Sequence, residues 1–455
     1  MKPDLFAALD EATLRPRYSL VFSLVAALLI CELFDYFVVG YLVSAIAPAW
    51  HLTFGVTSLM LLSAGVGAIV GALAGGRFAD RFGRKPVLLA AAVLCCAGAG
   101  CLALVQEGDW RTFTILRLFV GMGYGACGST QFALIAEYTP RARRTLITSS
   151  LGIPAGLGLL LASSVVSVLF ARIGWRGTAL LGFLPLVVVA LLAGFAPESP
   201  RWLMTVGRPE AARRAASRIL RLPDFDPAAI PSMGSGPPGG SLLDVMRESR
   251  PFWLIVVVQV TLGSVLAGVL LWGPTLVAQV FSVTPQRAAQ YFIGISLSAL
   301  VGRVAFTWLP HRIGRVRSGL LVGYGGAGAL LFAVLLRDTY WAGIPALFLC
   351  LVAGQFFYDG GYSNLTTYAA ELYPVRLGAR AMGVSAGTAG IGKILGPLVM
   401  GLIAGANNLV TPAVTQQAIV PVFMFLCACC LAVGLAYTFL GVETAHGVRR
   451  VERGQ

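Results

Sequence analysis

The sequence predicts an all-α membrane protein of twelve transmembrane helices arranged as two pseudo-symmetric six-helix bundles. Of its 455 residues, 57% are hydrophobic and only 12% are charged, whereas about 25% of residues are charged in an average soluble protein. The apolar residues form twelve long runs, and two short motifs recur at nearly one offset in the two halves of the chain. So few charges cannot cover the surface of a large soluble enzyme.

The twelve apolar runs have the length that a membrane span requires. A bilayer core of about 30 Å needs roughly 20 apolar residues per helix. The runs lie near residues 19–45, 56–79, 86–106, 112–136, 145–171, 177–196, 252–281, 287–309, 318–336, 341–370, 377–405 and 415–441. The opening segment MKPDLFAALDEATLRPRYSL contains acids and lacks the short apolar core of a removable signal peptide. The first span is therefore expected to stay in the mature protein.

The positions of Lys and Arg predict the orientation of the chain. With the amino terminus inside, the inner segments contain 26 of these residues and the outer loops contain five. Because cytoplasmic loops are rich in Lys and Arg, both termini are expected in the cytoplasm and the protein in the plasma membrane, most simply a bacterial inner membrane. This distribution accounts for the net charge of +14 without a nucleic-acid partner.

Two pairs of motifs indicate an internal duplication. Arg84 of GGRFADRFGRKP matches Arg315 of WLPHRIGRVRS at an offset of 231, and Glu137 of AEYTPRARR matches Glu371 of AELYPVRLGAR at an offset of 234. Each motif follows an even-numbered span on the predicted inner side. This arrangement is typical of a parallel duplication of a six-helix unit.

The duplication predicts three domains. An amino-terminal bundle is expected over residues 1–196, a cytoplasmic linker over 197–250 and a carboxy-terminal bundle with a cytoplasmic tail over 251–455. The linker contains a basic helical piece at 210–221, followed by the flexible stretch PSMGSGPPGG. Its arginines lie on one face, so the helix is expected either on the anionic inner leaflet or in solvent.

Several of these motifs resemble those of the major facilitator superfamily. The loop after the second span carries the superfamily's signature at Gly76, Asp80, Arg81, Gly83, Arg84 and Lys85. The fourth span contains RLFVGMGYG, and PESPRWL follows the sixth. The branch that these residues resemble contains sugar porters, organic ion transporters and aromatic acid:proton symporters. The resemblance implies the twelve-helix fold and secondary transport by alternating access.

Charged residues at the ends of the inner loops predict a gating latch. An acid can cap a neighbouring helix, and the basic residues can bind carboxylates or lipid phosphates, in contacts that must break when the two halves rock. The predicted latch consists of Asp80, Arg81, Arg84, Lys85, Glu137, Arg141, Glu371 and Arg376. The alternative is that these charges only orient the loops. His311 replaces the acid in the second copy, which implies a weaker latch or one that uses other carboxylates.

Two acids in the first span predict a proton site. Glu32 and Asp35 are three residues apart and share a helix face, where two like charges in a poorly hydrated place favour partial protonation. Asp35 and Arg117 of the fourth span lie at similar depths. The resemblance to proton-coupled porters implies that this acid and this arginine are coupling partners. We expect protonation of Asp35 to release Arg117, and a permanent structural ion pair is the alternative.

A basic residue in the eleventh span predicts an anionic substrate. Lys393 requires a counter-ion, which is either a substrate carboxylate or Asp359 near the middle of the tenth span. The resemblance to organic-anion transporters implies that Lys393 faces the central cavity. Side chains that offer hydrogen bonds or aromatic faces to a small ring-bearing acid, or that simply pack there, are Tyr358, Tyr362, Gln355 and Asn364. Arg303 lies nearer the inner end of the eighth span and is expected to extend to the interface.

Other kinds of chemistry find little support in the sequence. The nine cysteines lie mostly in apolar runs without His or carboxylate at ligand spacing, so they predict packing and no metal site. GMGYGACG lies inside a span and predicts close helix packing, not nucleotide binding. No catalytic set or resident cofactor is evident, and the energy source is expected to be the proton gradient.

The sequence therefore predicts a transporter and not an enzyme. The leading hypothesis is proton-coupled symport of a small organic anion, an aromatic acid or another monocarboxylate, by a monomer in contact with membrane lipids. A sugar or polyol symporter and a drug or metabolite efflux antiporter are the alternatives within transport. A membrane sensor that kept the fold without transporting is the alternative from a different class.

Overall fold

The computed structural model describes residues 5–221, 242–341, 343–373 and 375–444, and most of them lie in α-helices. The sequence-based prediction of an all-α chain is confirmed. Long apolar segments favour helices in lipid because a helix satisfies its backbone hydrogen bonds internally. Two short antiparallel strand pairs accompany the helices, with Thr13 opposite Arg221 and Tyr340 opposite Pro345.

The elements follow the chain in this order. The first ten helices are α1 (Leu5–Glu11), α2 (Pro16–Ala49), α3 (Phe54–Phe82), α4 (Arg84–Cys101), α5 (Trp110–Tyr138), α6 (Arg141–Ser150), α7 (Gly152–Leu180), α8 (Leu186–Phe195), α9 (Pro200–Thr205) and α10 (Pro209–Ile219). The others are α11 (Leu242–Arg247), α12 (Ser249–Ala267), α13 (Gly273–Val280), α14 (Pro285–Ile313), α15 (Arg315–Leu335), α16 (Ala346–Glu371), α17 (Val375–Ile403) and α18 (Pro412–Leu440). The strands are β1 (Thr13–Leu14), β2 (Leu220–Arg221), β3 (Tyr340–Trp341) and β4 (Ile344–Pro345).

The helices reproduce the predicted spans. Ten helical stretches of the described chain are long and apolar enough to cross a membrane. One of them, Gly152–Phe195, has 44 residues and contains two predicted spans, which meet where the backbone bends at Gly174. A π-helical turn at Gly268–Trp272 connects α12 to α13 within another. α16 covers residues 346–370 of the remaining predicted run, 341–370, and short strands occupy its start.

Equivalent glycines separate successive helices in the two sequence repeats. Gly83 between α3 and α4 has φ +107°, and Gly314 between α14 and α15 has φ +95°. Glycine adopts this region without the steric penalty that a side chain brings. The duplicated motif therefore stops one helix and starts the next in both copies, which places Arg84 and Arg315 at equivalent helix starts.

The helices form two compact units. Unit 1 contains residues 1–36, 66–158 and 176–235, and unit 2 contains residues 37–65, 159–175 and 236–455. The domain boundaries taken from the sequence repeat stay a prediction. Parts of the predicted linker lie outside the described residues, but α10 confirms its basic helix, with Arg213, Arg214 and Arg218 exposed and Ala212 and Ile219 buried.

Glycines bring the helices of unit 1 into close contact. A Cβ built on Gly125 of α5 would lie 2.0 Å from the carbonyl oxygen of Ala68 in α3, and one built on Gly123 would lie 2.6 Å from that of Ala91 in α4. A side chain at either position would force the helices apart. The interpretation of GMGYGACG as a packing motif is confirmed.

Unit 2 includes a bridge between the first and the last loop of the predicted outer side. The backbone N–H of Val410 donates to the carbonyl of Leu52 (3.0 Å), and that of Phe54 donates to the carbonyl of Asn408 (2.9 Å). The hydroxyl of Ser58 donates to the carbonyl of Pro397 at 2.9 Å. These contacts fix the ends of α2 and α3 against α17 and the loop that follows it.

Candidate functional site

Two carboxyl groups lie buried on one face of α2. Glu32 and Asp35 are each 2% exposed. The Glu32 Oε1 atom accepts a hydrogen bond from Gln131 Nε2 of α5 at 2.6 Å. Among the described residues, Glu32 Oε2 and Asp35 Oδ2 have no hydrogen-bond partner. Because an unpaired carboxylate oxygen is costly in an apolar setting, these two groups form a place where a proton can be held.

Arg117 of α5 reaches the same part of α2. Its guanidinium donates from Nη1 to the carbonyl of Asp35 at 3.0 Å and from Nη2 to the carbonyl of Tyr36 at 3.3 Å. Both hydrogen bonds go to backbone oxygens of α2. The structure thus brings Glu32, Asp35 and Arg117 together, as the sequence predicts, with main-chain hydrogen bonds in place of the expected direct bond to the carboxylate.

Gln131 is part of this cluster, although it was not singled out from the sequence. It is fully buried and lies 14 residues after Arg117. That spacing is close to four helical turns, so the two side chains share a face of α5. An amide at this spacing from a buried arginine is the signal that could have identified it.

A second charged cluster lies in unit 2 between α14 and α16. Arg303 Nε donates to Asp359 Oδ2 at 2.7 Å and Arg303 Nη2 donates to Oδ1 at 2.9 Å. This pair corrects the expectation that Arg303 extends to the interface. Both Asp359 oxygens bind Arg303, and the choice between Asp359 and a substrate carboxylate as the counter-ion of Lys393 stays a prediction.

Close packing explains why Arg303 reaches Asp359. A Cβ built on Gly302 would lie 2.3 Å from the carbonyl oxygen of Phe356, and one built on Gly360 would lie 2.4 Å from the Phe306 ring. The two glycines therefore let α14 and α16 cross at short range. Each charged residue directly neighbours one of these glycines in sequence, so the crossing sets the two side chains side by side.

A polar stripe runs along α16. Gln355, Asp359 and Tyr362 occupy positions i, i+4 and i+7, which share a helix face. Gln355 is 0% exposed, and neither its amide nitrogen nor its amide oxygen has a partner in the part of the chain that the structure describes. This stripe is the polar surface that the sequence places in the substrate region.

Tyr362 and the neighbourhood of Lys393 meet at Gly263 of α12. A Cβ built on Gly263 would lie 3.4 Å from the Tyr362 hydroxyl and 3.3 Å from the Cα of Gly392. Lys393 follows directly in sequence and is half-buried. The structure therefore brings α12, α16 and α17 together at the level of the predicted substrate residues.

Two further predicted substrate residues contact α15. Tyr358 is fully buried and packs toward Gly326 of α15 and Cys430 of α18. Asn364 accepts from Arg315 Nη1 (3.4 Å) and donates to the carbonyl of Arg315 (3.2 Å). Asn364 lies nine residues after Gln355, on the opposite face of α16, which explains why it contacts Arg315. Tyr358 lies three residues after Gln355 and four before Tyr362, so it stays close to their face.

A polar pair on α12 and α17 adds to the site. Gln259 is 2% exposed, and its Nε2 donates to Ser385 Oγ at 2.5 Å. Its Oε1 atom has no partner among the described residues. Both side chains lie on spans adjoining the stripe, and a lone amide inside an apolar span is the signal that could have identified Gln259.

The latch of the first copy connects the start of α4 to α5 and to the segment before α9. Arg84 forms ion pairs with Asp80 (2.8 Å) and Glu137 (3.1 Å). The carboxylate of Glu198 accepts the backbone N–H groups of Arg84 (3.1 Å) and Lys85 (3.2 Å). Glu198 therefore caps α4, a role that the sequence analysis offered to Asp80. Burial raises the pKa of the Glu198 carboxyl, and these hydrogen bonds oppose the shift.

The latch of the second copy follows the same plan with other acids. Arg315 binds Glu371 through two hydrogen bonds of 2.7 and 3.1 Å. The carboxylate of Glu443 accepts the backbone N–H groups of Arg315 (2.8 Å) and Val316 (3.2 Å). The expectation that this copy would use other carboxylates agrees with these contacts. Glu198 and Glu443 are 245 residues apart, whereas the repeated motifs are 231 and 234 residues apart. The sequence repeat therefore did not pair these two glutamates.

The other predicted latch residues differ in their surroundings. Lys85 Nζ donates to the carbonyl of Ala193 at 2.7 Å. Arg81 lies over the Phe82 ring with its guanidinium carbon 5.3 Å from the ring centre. Arg141 is exposed at the start of α6, and the side chain of Arg376 lies outside the described residues. A role for these groups in gating stays a prediction.

Comparisons with known proteins agree with this architecture. The family model of the Major Facilitator Superfamily matches residues 25–397. The niacin transporter NiaP of Acinetobacter baylyi is 26% identical over 427 residues, which cover 90% of each protein. The 4-hydroxybenzoate transporter PcaK of the same species is 24% identical over 423 residues, covering 89% of each.

A solved structure shows the same fold. The crystal structure of a D-xylose-proton symporter superposes with a TM-score of 0.73 at 19% identity, covering 94% of this chain and 99% of that chain. At this identity the likeness concerns the fold alone. The predicted arrangement of twelve transmembrane helices in two pseudo-symmetric bundles is confirmed.

Proposed function

This chain belongs to the major facilitator superfamily, and from that premise we propose that it imports a small organic anion together with protons. It is an integral membrane transporter and not an enzyme. The proposed substrate is an aromatic acid or another monocarboxylate. The proposed setting is a bacterial inner membrane with both termini in the cytoplasm.

The observation that carries the proposal is an opposite charge imbalance in the two sequence repeats. The interior of the first six spans contains two carboxyl groups, Glu32 and Asp35, and one guanidinium, Arg117. The interior of the last six contains two cations, Arg303 and Lys393, and one carboxyl group, Asp359. One proton in the first copy and one monoanion in the second would leave both sets neutral. Because charge at bilayer depth is costly, the doubly loaded protein is the form best suited to change conformation.

The arrangement around Asp35 supports the proton half of the proposal. Its carboxyl oxygen Oδ2 lies unpartnered among the described residues, next to backbone carbonyls that hold Arg117. Protonation at this place would change the electrostatic attraction between α2 and α5. A ligand that binds two conformations unequally shifts the balance between them, and here the proton is that ligand.

The arrangement in unit 2 supports the anion half. Arg303 already binds Asp359 through two hydrogen bonds, so the guanidinium balances most of the negative charge of this carboxylate. Counted with Lys393, the last six spans contain one more cation than carboxyl groups, which favours a substrate that brings its own carboxylate. Niacin and 4-hydroxybenzoate, the compounds in the names of two relatives, are ring-bearing monocarboxylic acids of this kind.

Uptake into proteoliposomes tests the proposal. Labelled 4-hydroxybenzoate is supplied outside under an imposed inward proton gradient, with excess unlabelled aromatic acids or hexoses as competitors. We expect gradient-dependent uptake that acids block and hexoses leave unchanged, and we expect Lys393→Ala to weaken it. Uptake that hexoses block would favour a sugar symporter, and an absence of uptake would overturn the aromatic-acid assignment.

A further inference from the structure

We propose that Asp359 holds the place on Arg303 that the substrate carboxylate takes during transport, and that Gln355 binds a second polar group of the same substrate. The inference rests on the proposed function, because it requires a substrate with a carboxylate. It makes Arg303 the cation that binds this carboxylate first. Asp359 then acts as an internal competitor that the substrate displaces.

The geometry of the pair is that of a carboxylate bound at two points by a guanidinium. Arg303 donates from two nitrogens to the two oxygens of Asp359, at 2.7 and 2.9 Å. A planar guanidinium binds any carboxylate in this two-point manner, which an ammonium group cannot reproduce. Exchange of Asp359 for a substrate carboxylate therefore conserves the number and the kind of hydrogen bonds on Arg303.

The two partners differ in accessibility. The Arg303 side chain is 23% exposed, whereas the Asp359 side chain is 1% exposed. Arg303 is therefore the more exposed partner of the pair, and we take it as the first contact of an entering anion.

The displaced carboxylate has a second cation in the same copy. Tyr362 lies on the same face of α16 as Asp359, and its hydroxyl approaches Gly263 of α12, which also contacts Gly392. Lys393 follows Gly392 in the chain. The groups around the stripe are thus Arg303 from α14, Tyr362 from α16 itself, Lys393 from α17 and the amide of Gln259 from α12. Lys393 is the other cation inside the last six spans, and it is the group assigned here to balance the charge of Asp359 once the substrate occupies Arg303.

Gln355 gives the site a second recognition point. It is one helical turn before Asp359 on the same face and is fully buried, and among the described residues both polar atoms of its amide lack a partner. A hydrogen bond from a ligand to this buried amide would offset the desolvation penalty of leaving its polar atoms unpaired. One helical turn is about 5.4 Å, so the preferred substrate is a rigid acid with a hydroxyl or a ring nitrogen at roughly that distance from its carboxylate.

Binding to the purified full-length protein in lipid nanodiscs tests the inference. Labelled 4-hydroxybenzoate and labelled benzoate are titrated into the wild type and into Asp359→Asn, Arg303→Gln and the double variant. Removal of the competitor in Asp359→Asn is expected to tighten binding of both acids several-fold, to about tenfold. Arg303→Gln is expected to lose binding. The double variant removes both charges of the pair and is expected to fold, by size exclusion and thermal melting, without binding either acid.

A purely structural pair predicts the opposite pattern. Asp359→Asn would then weaken binding or leave it unchanged, and the double variant would restore it; either result overturns the exchange.

Gln355→Leu is expected to reduce binding of 4-hydroxybenzoate about tenfold, to the level of benzoate, with benzoate itself unaffected. Equal losses for both acids would overturn the role of Gln355. If the wild type binds neither acid, the proposed function itself fails, whereas wild-type binding without tightening in Asp359→Asn rejects only the exchange.

Discussion

The two sequence repeats share their latches and differ in their membrane charges. Arg84 and Arg315 occupy the same place at a helix start, and each binds a glutamate at the end of the helix from the same motif, Glu137 or Glu371. Inside the spans the first copy has an excess of acid and the second an excess of base. The latch contacts that both copies share belong to the scaffold, and the membrane charges that differ are where we propose that the two copies bind different ligands.

The latches show how closely the scaffold is repeated. Glu198 and Glu443 each accept two backbone N–H groups at the start of the following helix. The neighbouring hydroxyls of Ser199 and Thr444 each donate to the glutamate of the motif. The hydrogen-bond plan is conserved between the copies even though PES and VET share only the glutamate, because a hydroxyl follows the acid in both.

The membrane charges show where the copies specialise. Asp35 lies beside an arginine that binds main-chain carbonyls, whereas Asp359 is held at both oxygens by Arg303. A carboxyl group that lacks full hydrogen bonding is suited to gaining a proton. A guanidinium that already binds a carboxylate is suited to binding another. The comparison therefore supports the proposal that the first copy takes the proton and the second copy takes the anion.

Replacement of Asp35 by Asn removes the acid excess of the first copy and is expected to have the largest effect. Coupling free energies of about 1–3 kcal/mol correspond to roughly 5- to 150-fold, so gradient-driven uptake should fall by on the order of 10- to 100-fold. Exchange of labelled for unlabelled substrate, which needs no net proton movement, should persist. Glu32→Gln removes the other carboxyl charge of the same site, and a smaller loss in that variant would show that Asp35, beside Arg117, is the main proton carrier. A full gradient response in Asp35→Asn would refute the assignment.

Removal of either capping glutamate tests whether the two latches are equivalent. Glu198→Ala and Glu443→Ala each leave two helix N–H groups without their side-chain partner, which is expected to lower stability by about 0.5–2 kcal/mol. Thermal melting of the two variants in the same detergent measures the effect. A lower melting temperature in only one of the two variants would show that the same hydrogen bonds stabilise the two copies unequally.

The pH dependence of melting gives a smaller test of the first latch. Burial raises the pKa of Glu198 above its value in the unfolded chain. The stability that this shift contributes is complete below the unfolded pKa and is lost as the pH rises through the raised pKa. Melting of the wild type and of Glu198→Gln is compared from about pH 4 to about pH 8. We expect the wild type to gain stability relative to the variant as the pH falls, and the reverse slope would contradict the stated effect of burial.

Loss of Asp80 makes the first latch resemble the second and is expected to have the smallest effect. The second copy has His311 in place of the acid, and the Asp80 side chain is 76% exposed. Ion pairs this exposed contribute about 0–1 kcal/mol. Asp80→Asn should therefore change the melting temperature little, and a loss as large as that of Glu198→Ala would show that the copies depend on different acids.

Much of the fold could be predicted from the sequence because apolar length fixes which segments cross the membrane. The charge motifs also placed Arg84 near Glu137 and Asp35 near Arg117. Depth could be estimated by counting residues, but rotation could not, since a span that is apolar on all sides gives little indication of which face meets which neighbour. For that reason Asn364 was grouped with the substrate residues, although it faces Arg315.

The remaining errors concern contacts that depend on helix crossings. Arg303 meets Asp359 because Gly302 packs against the backbone of Phe356, and no sequence interval between the two residues reveals this crossing. Glu443 was missed because the two copies differ in length between the motif and the cap. Such contacts follow from the tertiary arrangement, and the local sequence indicates only that the participants are polar.

Measurement of proton movement during substrate uptake shows whether the first copy takes up a proton for each anion that the second copy binds. Proteoliposomes with a pH-sensitive dye inside receive 4-hydroxybenzoate outside, with no imposed gradient, and the membrane potential is set by potassium and valinomycin. Entry of one proton with one monoanion carries no net charge, so the account predicts substrate-dependent acidification that is independent of the potential and is lost in Asp35→Asn vesicles. Acidification no faster than in the Asp35→Asn vesicles, or uptake that follows the potential, would contradict the account.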